Sequence, residues 1–163
     1  MSEKALDRFD WLILEAVQEN GRLSLADLSD RVGLSKTPCQ MRLKRLEREG
    51  YITGYHARLN TRKVRQNYVV FIEVKLESTS RRHLDDFNRV VKKNDAIQSC
   101  HMLAGGFDYL LKVRCRNMEE YRSILTDFIN DLPGVRQTSS FPVMEEVKRI
   151  SSVNLKNNFH YKD

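Results

Sequence analysis

The N-terminal third of the chain carries apolar residues at the three- and four-residue spacing of amphipathic helices. Three such stretches follow one another, at residues 6–19, 25–32 and 35–49, and a glycine stands at the end of each. Gly33 suits the left-handed position that ends the second helix, and a short connection leads from it into the third. Three helices joined in this way predict a helix-turn-helix. The inward face predicted for the third helix consists of Cys39, Leu43 and Leu46.

Two segments without helical periodicity follow the third helix. Residues 51–60 have β-rich ends around Gly54 and predict a short hairpin, or wing, beside the helices. Residues 61–67 are polar and basic with one apolar residue, Val64, and predict a linker. The first domain is therefore expected to span residues 1–60.

The second half of the chain changes its period and alternates strand and helix patterns. Its element order, β-α-β-β-α-β, is that of a ferredoxin-like domain, so the fold class is α+β. The strands are predicted at residues 68–76, 96–103, 109–116 and 135–144, and the helices at 83–91 and 118–132. The domain is expected to span residues 68–150, and residues 151–163 form a polar tail that we expect to be mobile at its end.

The net charge of +6 is concentrated in one segment. Nine basic residues oppose two acidic ones between Lys36 and Arg65, which gives this segment +7, whereas the rest of the chain carries −1. A basic stretch of this kind is typical of a protein that neutralises phosphates, and a solvated helix face with unrelated charge is the alternative.

The outer side of the third helix combines hydrogen-bond donors, cations and one adaptable apolar side chain. Such a helix fits the major groove of DNA, although an ordinary amphipathic helix with a polar face remains the alternative. Thr37 and Gln40 are the candidates for contacts to base edges, and the cations of the helix are candidates for phosphate contacts. The predicted DNA-binding residues are Ser35, Lys36, Thr37, Gln40, Met41, Lys44, Arg45, Arg48 and, in the wing, Arg58.

Other classes of protein find little support in the sequence. Three cysteines without a C-x-x-C pair disfavour a disulfide framework or a zinc ribbon, and the four histidines are scattered, so we predict neither a metal site nor catalytic residues. The chain lacks an apolar run of membrane length and an apolar stretch typical of a signal peptide, which predicts a cytoplasmic protein without a membrane partner. The pair Gly105-Gly106 fits a hairpin turn and equally a backbone that a ligand approaches closely.

Several short motifs together resemble the Lrp/AsnC, or feast/famine, family of bacterial and archaeal transcription factors. The resemblance extends from about Leu6 to Lys148. The motifs, in chain order, are Asp7-x-x-Asp10, Gly33-Leu34-Ser35-x-Thr37-Pro38-Cys39, Arg42-Leu43-Lys44-Arg45-Leu46-Glu47, Gly50-Tyr51-Ile52, Gly105-Gly106-Phe107-Asp108-Tyr109-Leu110-Leu111, Leu132-Pro133-Gly134-Val135 and Val143-Met144-Glu145-Glu146-Val147-Lys148.

This resemblance implies a winged helix-turn-helix that binds double-stranded DNA, followed by a ferredoxin-like domain of the RAM type that binds an effector and forms oligomers. It implies homodimers that assemble into octamers or similar discs, and a small amino acid as effector, with no other cofactor. Relatives that sense leucine commonly have an acidic residue where this chain has Gly106, and a β-branched residue is usual in the family where this chain has Pro142, so leucine is not carried over as the ligand. The effector residues that it implies are Met102, Gly105, Gly106, Asp108, Met118, Phe141, Pro142 and Val143.

The sequence therefore predicts a DNA-binding transcriptional regulator of amino-acid metabolism that responds to a small amino acid, and not an enzyme. One alternative is an enzyme on the same two-domain plan, such as the sirohaem decarboxylases among the family's distant relatives, for which His101 is the one suggestive residue. A ligand sensor whose partner is another protein is a further alternative, but it leaves the basic segment unexplained.

Overall fold

The computed structural model describes residues 5–150 and 152–155. The chain divides into two compact units. The first contains the described residues up to Arg58 together with those from Arg149 onward, and the second contains Leu59–Lys148. Most of the predicted tail, residues 151 and 156–163, lies outside the described residues.

The first unit consists of three helices, α1 (Arg8–Glu19), α2 (Leu25–Val32) and α3 (Lys36–Arg48). Asp7 caps α1 in a capping box with Asp10, and Ser24 caps α2 by accepting a hydrogen bond from the backbone of Asp27. Gly33 ends α2 in the left-handed conformation, with φ of 71°, as predicted. The helices enclose a small apolar core formed by Ile13, Ala16, Leu28, Val32, Cys39 and Leu46.

The predicted hairpin is wrong: residues 51–60, all of which are described, contain no β-strand. The segment is held by individual contacts instead of a ladder. The backbone N–H of Ile52 donates to the carbonyl of Leu46, and the hydroxyl of Tyr55 donates to Oε1 of Glu47 at 2.8 Å. Burial, together with the hydrogen bond and the negative charge of Glu47, raises the pKa of Tyr55 to about 12. These contacts fasten the segment to α3 without a second strand.

The second unit has the predicted ferredoxin-like architecture. Its elements are β1 (Tyr68–Leu76), α4 (Arg81–Val91), β2 (Ile97–Met102), β3 (Tyr109–Cys115), α5 (Met118–Ile124) and β4 (Val135–Pro142). The four strands form an antiparallel sheet in the order β2-β3-β1-β4. Alternate residues of β1 and β3 are buried with apolar residues of the helices, so one face of the sheet is covered and the other stays open.

The last predicted helix, residues 118–132, is α-helical only in its first half. After α5 the chain continues as a π-helical segment, Leu125–Ile129. A π turn contains more residues than an α turn, so it changes which side chains face inward. Both Ile129 and Leu132 are buried in the core at the end of this segment.

Candidate DNA interface and effector site

Helix α3 directs a polar and basic surface away from the core of the first unit. Of the predicted inward face, Cys39 and Leu46 are buried, and Leu43 packs against the same core half-buried. We call the exposed surface of this helix the recognition face; its residues are Lys36, Thr37, Gln40, Met41, Lys44 and Arg48. Arg58 is exposed as well, outside the helix.

The N-terminal end of α3 differs from the ends of the two preceding helices. Ser35 occupies the N-cap position, but among the described residues its side chain makes no capping hydrogen bond, and the first turn contains no acidic residue. The N–H groups at the start of a helix point outward and favour a negative charge. Lys36 adds a full positive charge to this end, so the site is suited to a phosphate.

Arg45 does not fit its predicted role as a phosphate contact. Its side chain is only 15% exposed, and Nη2 lies 2.5 Å from Oδ2 of Asp10, a carboxylate on α1 that is fully buried. A carboxylate oxygen of Glu49 lies 3.9 Å from its Nε. The charge of Arg45 therefore neutralises Asp10 within the first unit, because a buried carboxylate requires a counter-charge.

Arg42 also turns towards α1. Its Nη1 donates to Oδ1 of Asp10 at 2.9 Å and to Oδ2 of Asp7 at 2.6 Å. Partial burial by itself would raise the pKa of Asp7, but the hydrogen bonds from Arg42 and from the backbone of Asp10 and Phe9 outweigh it, so this pKa lies below its usual value. Two arginines of α3 thus clamp the helix to the start of α1.

The hairpin interpretation of Gly105-Gly106 is confirmed, because β2 and β3 pair directly across this loop. Neither glycine adopts a positive φ, and a Cβ atom at either position would meet no atom within 4 Å. Asp108 holds the loop against the end of β1: its carboxylate accepts a hydrogen bond from the N–H of Leu76 at 2.7 Å, and its N–H donates to Val74. The loop is exposed and fixed at its base.

The predicted effector residues fall into two groups at opposite ends of the sheet. The loop group consists of Met102, Gly105, Gly106 and Asp108, and the edge group consists of Met118, Phe141, Pro142 and Val143. Met102 pairs with Tyr109, which in turn pairs with Val74 near the end of β1. Pro142 pairs with Val70 near the start of β1. One copy of the chain does not bring the two groups together, since several residues of an extended strand separate them.

The open face of the sheet carries charged and aromatic side chains between these two ends. A hollow of about 210 Å³ adjoins Gly106 and Phe107 and is lined by Glu73 and Lys75 of β1 and by two polar residues of β4, Gln137 and Ser139. Towards the other end, Phe71 pairs with Phe141, which is half exposed. The hollow offers one negative and one positive side chain to a small ligand.

Comparison with known protein families bears on both units. Residues 6–53 match a family model described as a winged helix-turn-helix DNA-binding domain, and residues 69–153 match the Lrp/AsnC ligand binding domain. The chain belongs to the Lrp/AsnC family. It is a transcriptional regulator with a DNA-binding helix-turn-helix, and the resemblance in the sequence is confirmed.

Relatives within the Lrp/AsnC family align with nearly the whole chain. A proline dehydrogenase transcriptional activator of Rhizobium radiobacter is 53% identical over 143 residues, which cover 88% of this chain and 92% of that protein. The leucine-responsive regulatory protein of Escherichia coli is 45% identical over 153 residues, which cover 94% of this chain and 93% of that protein. A transcriptional regulator of Neisseria meningitidis, solved in complex with L-methionine, is 35% identical and superposes with a TM-score of 0.88. The superposition covers 94% of this chain and 99% of that one.

These Lrp/AsnC relatives are regulators and not enzymes, which removes the sirohaem-decarboxylase alternative. Within residues 5–150 and 152–155, no group of three or more metal-ligating side chains converges. No helix in the described part of the chain is long and apolar enough to cross a membrane.

Sequence reasoning missed the function of Asp10 in this Lrp/AsnC chain. The motif Asp7-x-x-Asp10 was visible only as a family feature, whereas its physical role is to pair with arginines more than 30 residues away. A usable signal existed in the spacing of Arg42 and Arg45, three residues apart on one helix, beside the predicted core face.

Proposed function

We propose that the recognition face of α3 enters the major groove of double-stranded DNA, with Thr37 and Gln40 at base edges and Lys36, Lys44 and Arg48 at phosphates. The observation that carries this proposal is the division of the basic residues of α3. Arg42 and Arg45 are engaged by acidic residues at the start of α1 and in its cap, whereas Lys44 and Arg48 remain exposed. Two copies of the unit in a dimer would read two half-sites about one helical turn apart.

Lys44→Ala is expected to reduce the salt dependence of DNA binding. Removal of one phosphate contact makes the slope of log K against log salt concentration shallower by about 0.9 for each bound helix. Gel shift or fluorescence anisotropy on the promoter of the protein's own gene, between about 50 and 200 mM KCl, measures this slope. Lys93→Ala, an exposed lysine after α4, is the matched control and leaves the slope unchanged. Equal slopes for wild type and Lys44→Ala contradict the proposed phosphate contact.

We further propose that the effector is a small amino acid bound between two copies, by the loop group of one copy and the edge group of another. The separation of the two groups within one chain supports a site of this kind. The hollow beside Gly106 supports a zwitterionic ligand, since Lys75 can attract a carboxylate and Glu73 an ammonium group. Homodimers that assemble further into octamers or similar discs would supply such interfaces.

The amino acid that we propose is L-proline. The chain is 53% identical to a relative named as an activator of proline dehydrogenase, against 45% for the leucine-responsive protein. Gly106 also stands where the family resemblance associates an acidic residue with leucine sensing. On this proposal the chain regulates genes of proline catabolism from the cytoplasm.

L-Proline is expected to raise the melting temperature of the protein by several degrees. A ligand that binds only the native state at about a hundred times its Kd adds about 2.7 kcal/mol to the free energy of unfolding. Differential scanning fluorimetry with each of the twenty amino acids measures the shift, and D-proline serves as the control. A shift with leucine or methionine in place of proline contradicts the choice of proline and retains the amino-acid site.

A further inference from the structure

A short segment near the C-terminus pairs with α1 of the first unit through one side chain. The N–H of Val153 donates to Oε1 of Gln18 at 2.9 Å, and Nε2 of Gln18 donates to the carbonyl oxygen of Val153 at 2.9 Å. A single side-chain amide thus satisfies both backbone groups of one residue, as a directly opposed residue does in an antiparallel sheet. This double hydrogen bond fixes which residue of the segment lies against α1.

Apolar side chains lie beside this pair. Leu14 and Val17 of α1 line a cavity of about 230 Å³ together with Val153, Leu155 and residues 51–55. Leu155 is half-buried, whereas the side chain of Val153 is 65% exposed. The segment therefore covers an apolar edge of the first unit with Leu155 and is held in register by the backbone of Val153.

The surface that receives this segment also positions the recognition helix. Residues 51–55 are attached to α3 by the hydrogen bond from Tyr55 to Glu47 and by the one from Ile52 to Leu46. Tyr55 also packs against the connection that follows α1, because a Cβ at Gly21 would be 3.0 Å from its ring. A change in the occupancy of this surface therefore acts on elements that contact α3 directly.

We propose that α1 and residues 51–55 form a docking surface for residues 152–155 and that this docking transmits the state of the effector unit to the DNA-binding unit. The chain leaves the second unit at Lys148 and belongs to the first from Arg149, so the docked segment is a second covalent connection, beside residues 59–67. The double hydrogen bond is exposed to solvent, where such bonds compete with water, so the segment can detach without unfolding the unit. The coupling to an amino acid rests on the function proposed above.

Gln18→Met tests the docking, because methionine keeps the length and helix propensity of glutamine and removes both hydrogen bonds. Hydrogen exchange by mass spectrometry on the full-length protein, over a peptide covering residues 149–155, is expected to be on the order of tenfold faster in Gln18→Met than in wild type. Arg8→Met, at an exposed position of the same helix, is the control and leaves exchange unchanged. Equal exchange in wild type and Gln18→Met overturns the docking.

The coupling is tested by DNA affinity with and without L-proline. Gln18→Met is expected to lose most of the change in DNA affinity that L-proline causes in wild type, because its segment is no longer docked in either state. An undiminished response to L-proline in Gln18→Met overturns the coupling. Failure of the wild-type protein to bind DNA or to respond to L-proline would instead contradict the proposed function. The hydrogen-exchange experiment needs neither DNA nor L-proline, so it tests the docking independently.

Discussion

Asp10→Ala is expected to destabilise the DNA-binding unit by about 3 kcal/mol, the cost of removing one partner from a buried ion pair. Asp10 is fully buried, and guanidinium nitrogens of Arg42 and Arg45 lie 2.9 and 2.5 Å from its two carboxylate oxygens. Without this carboxylate, the largely buried charge of Arg45 loses its closest partner. The helix that carries the recognition face would then either bury an uncompensated charge or move so that Arg45 reaches water.

Trp11 makes this effect measurable in the first unit alone. It is the only tryptophan of the chain and lies on α1 beside Asp10, so its fluorescence in a urea titration follows the unfolding of this unit. Glu19→Ala is the matched control, because it breaks the exposed ion pair between Glu19 and Arg31, which contributes less than about 1 kcal/mol. If Asp10→Ala and Glu19→Ala lose similarly small amounts of unfolding free energy, the buried ion pairs of Asp10 contribute no more than an exposed one.

The periodicity of the sequence predicted most elements, because each buries one face against a single core. Strand β1 has the predicted bounds, Tyr68–Leu76, and α2 has the predicted bounds, Leu25–Val32. The two errors are local. Residues 51–60 have strand-like composition, but the sequence does not show that the hydroxyl of Tyr55 is bound by Glu47 in place of a second strand. The π-helical segment Leu125–Ile129 has the composition of an ordinary helix, so its wider turns were not visible.

The site was less predictable than the fold, because a long charged side chain can either extend into solvent or pair with a charge beneath the surface. Lys44 and Arg45 are neighbours on α3, yet one is exposed and the other is paired with Asp10. Arginine has a long apolar stem and can reach a partner beneath the surface, and that partner is distant in the sequence. The separation of Met102 from Phe141 was likewise hidden, because it follows from the order and direction of the strands.

Two variants that each lose the response to L-proline are expected to recover part of it when they are mixed in one oligomer. Gly106→Leu fills the hollow next to the loop group, and the backbone accepts a side chain there, because φ is not positive and a Cβ meets no neighbouring atom. Phe141→Ala truncates the edge group at a half-exposed side chain, so its cost in stability is small. Each homo-oligomer is expected to bind no L-proline.

Co-expression of the two variants produces mixed dimers in which the two sites differ. One site combines Gly106→Leu with Phe141→Ala and stays inactive, whereas the other takes an intact loop group from one chain and an intact edge group from its partner. Half of the dimers are mixed on random pairing, and each mixed dimer has one intact site of two, so about a quarter of the wild-type binding sites return. Isothermal titration calorimetry with L-proline counts them.

Different affinity tags on the two chains, with a pull-down of a small sample over both tags, establish that the subunits have mixed. Co-expressed wild-type chains with the same two tags define full occupancy, and each variant paired with itself defines the background. Absence of any recovery in a verified mixed oligomer would place both groups in separate sites or in a site within one chain. Recovery of about a quarter is expected only where the loop at Gly106 and the strand end at Phe141 meet across two copies, because one chain holds them at opposite ends of the same sheet.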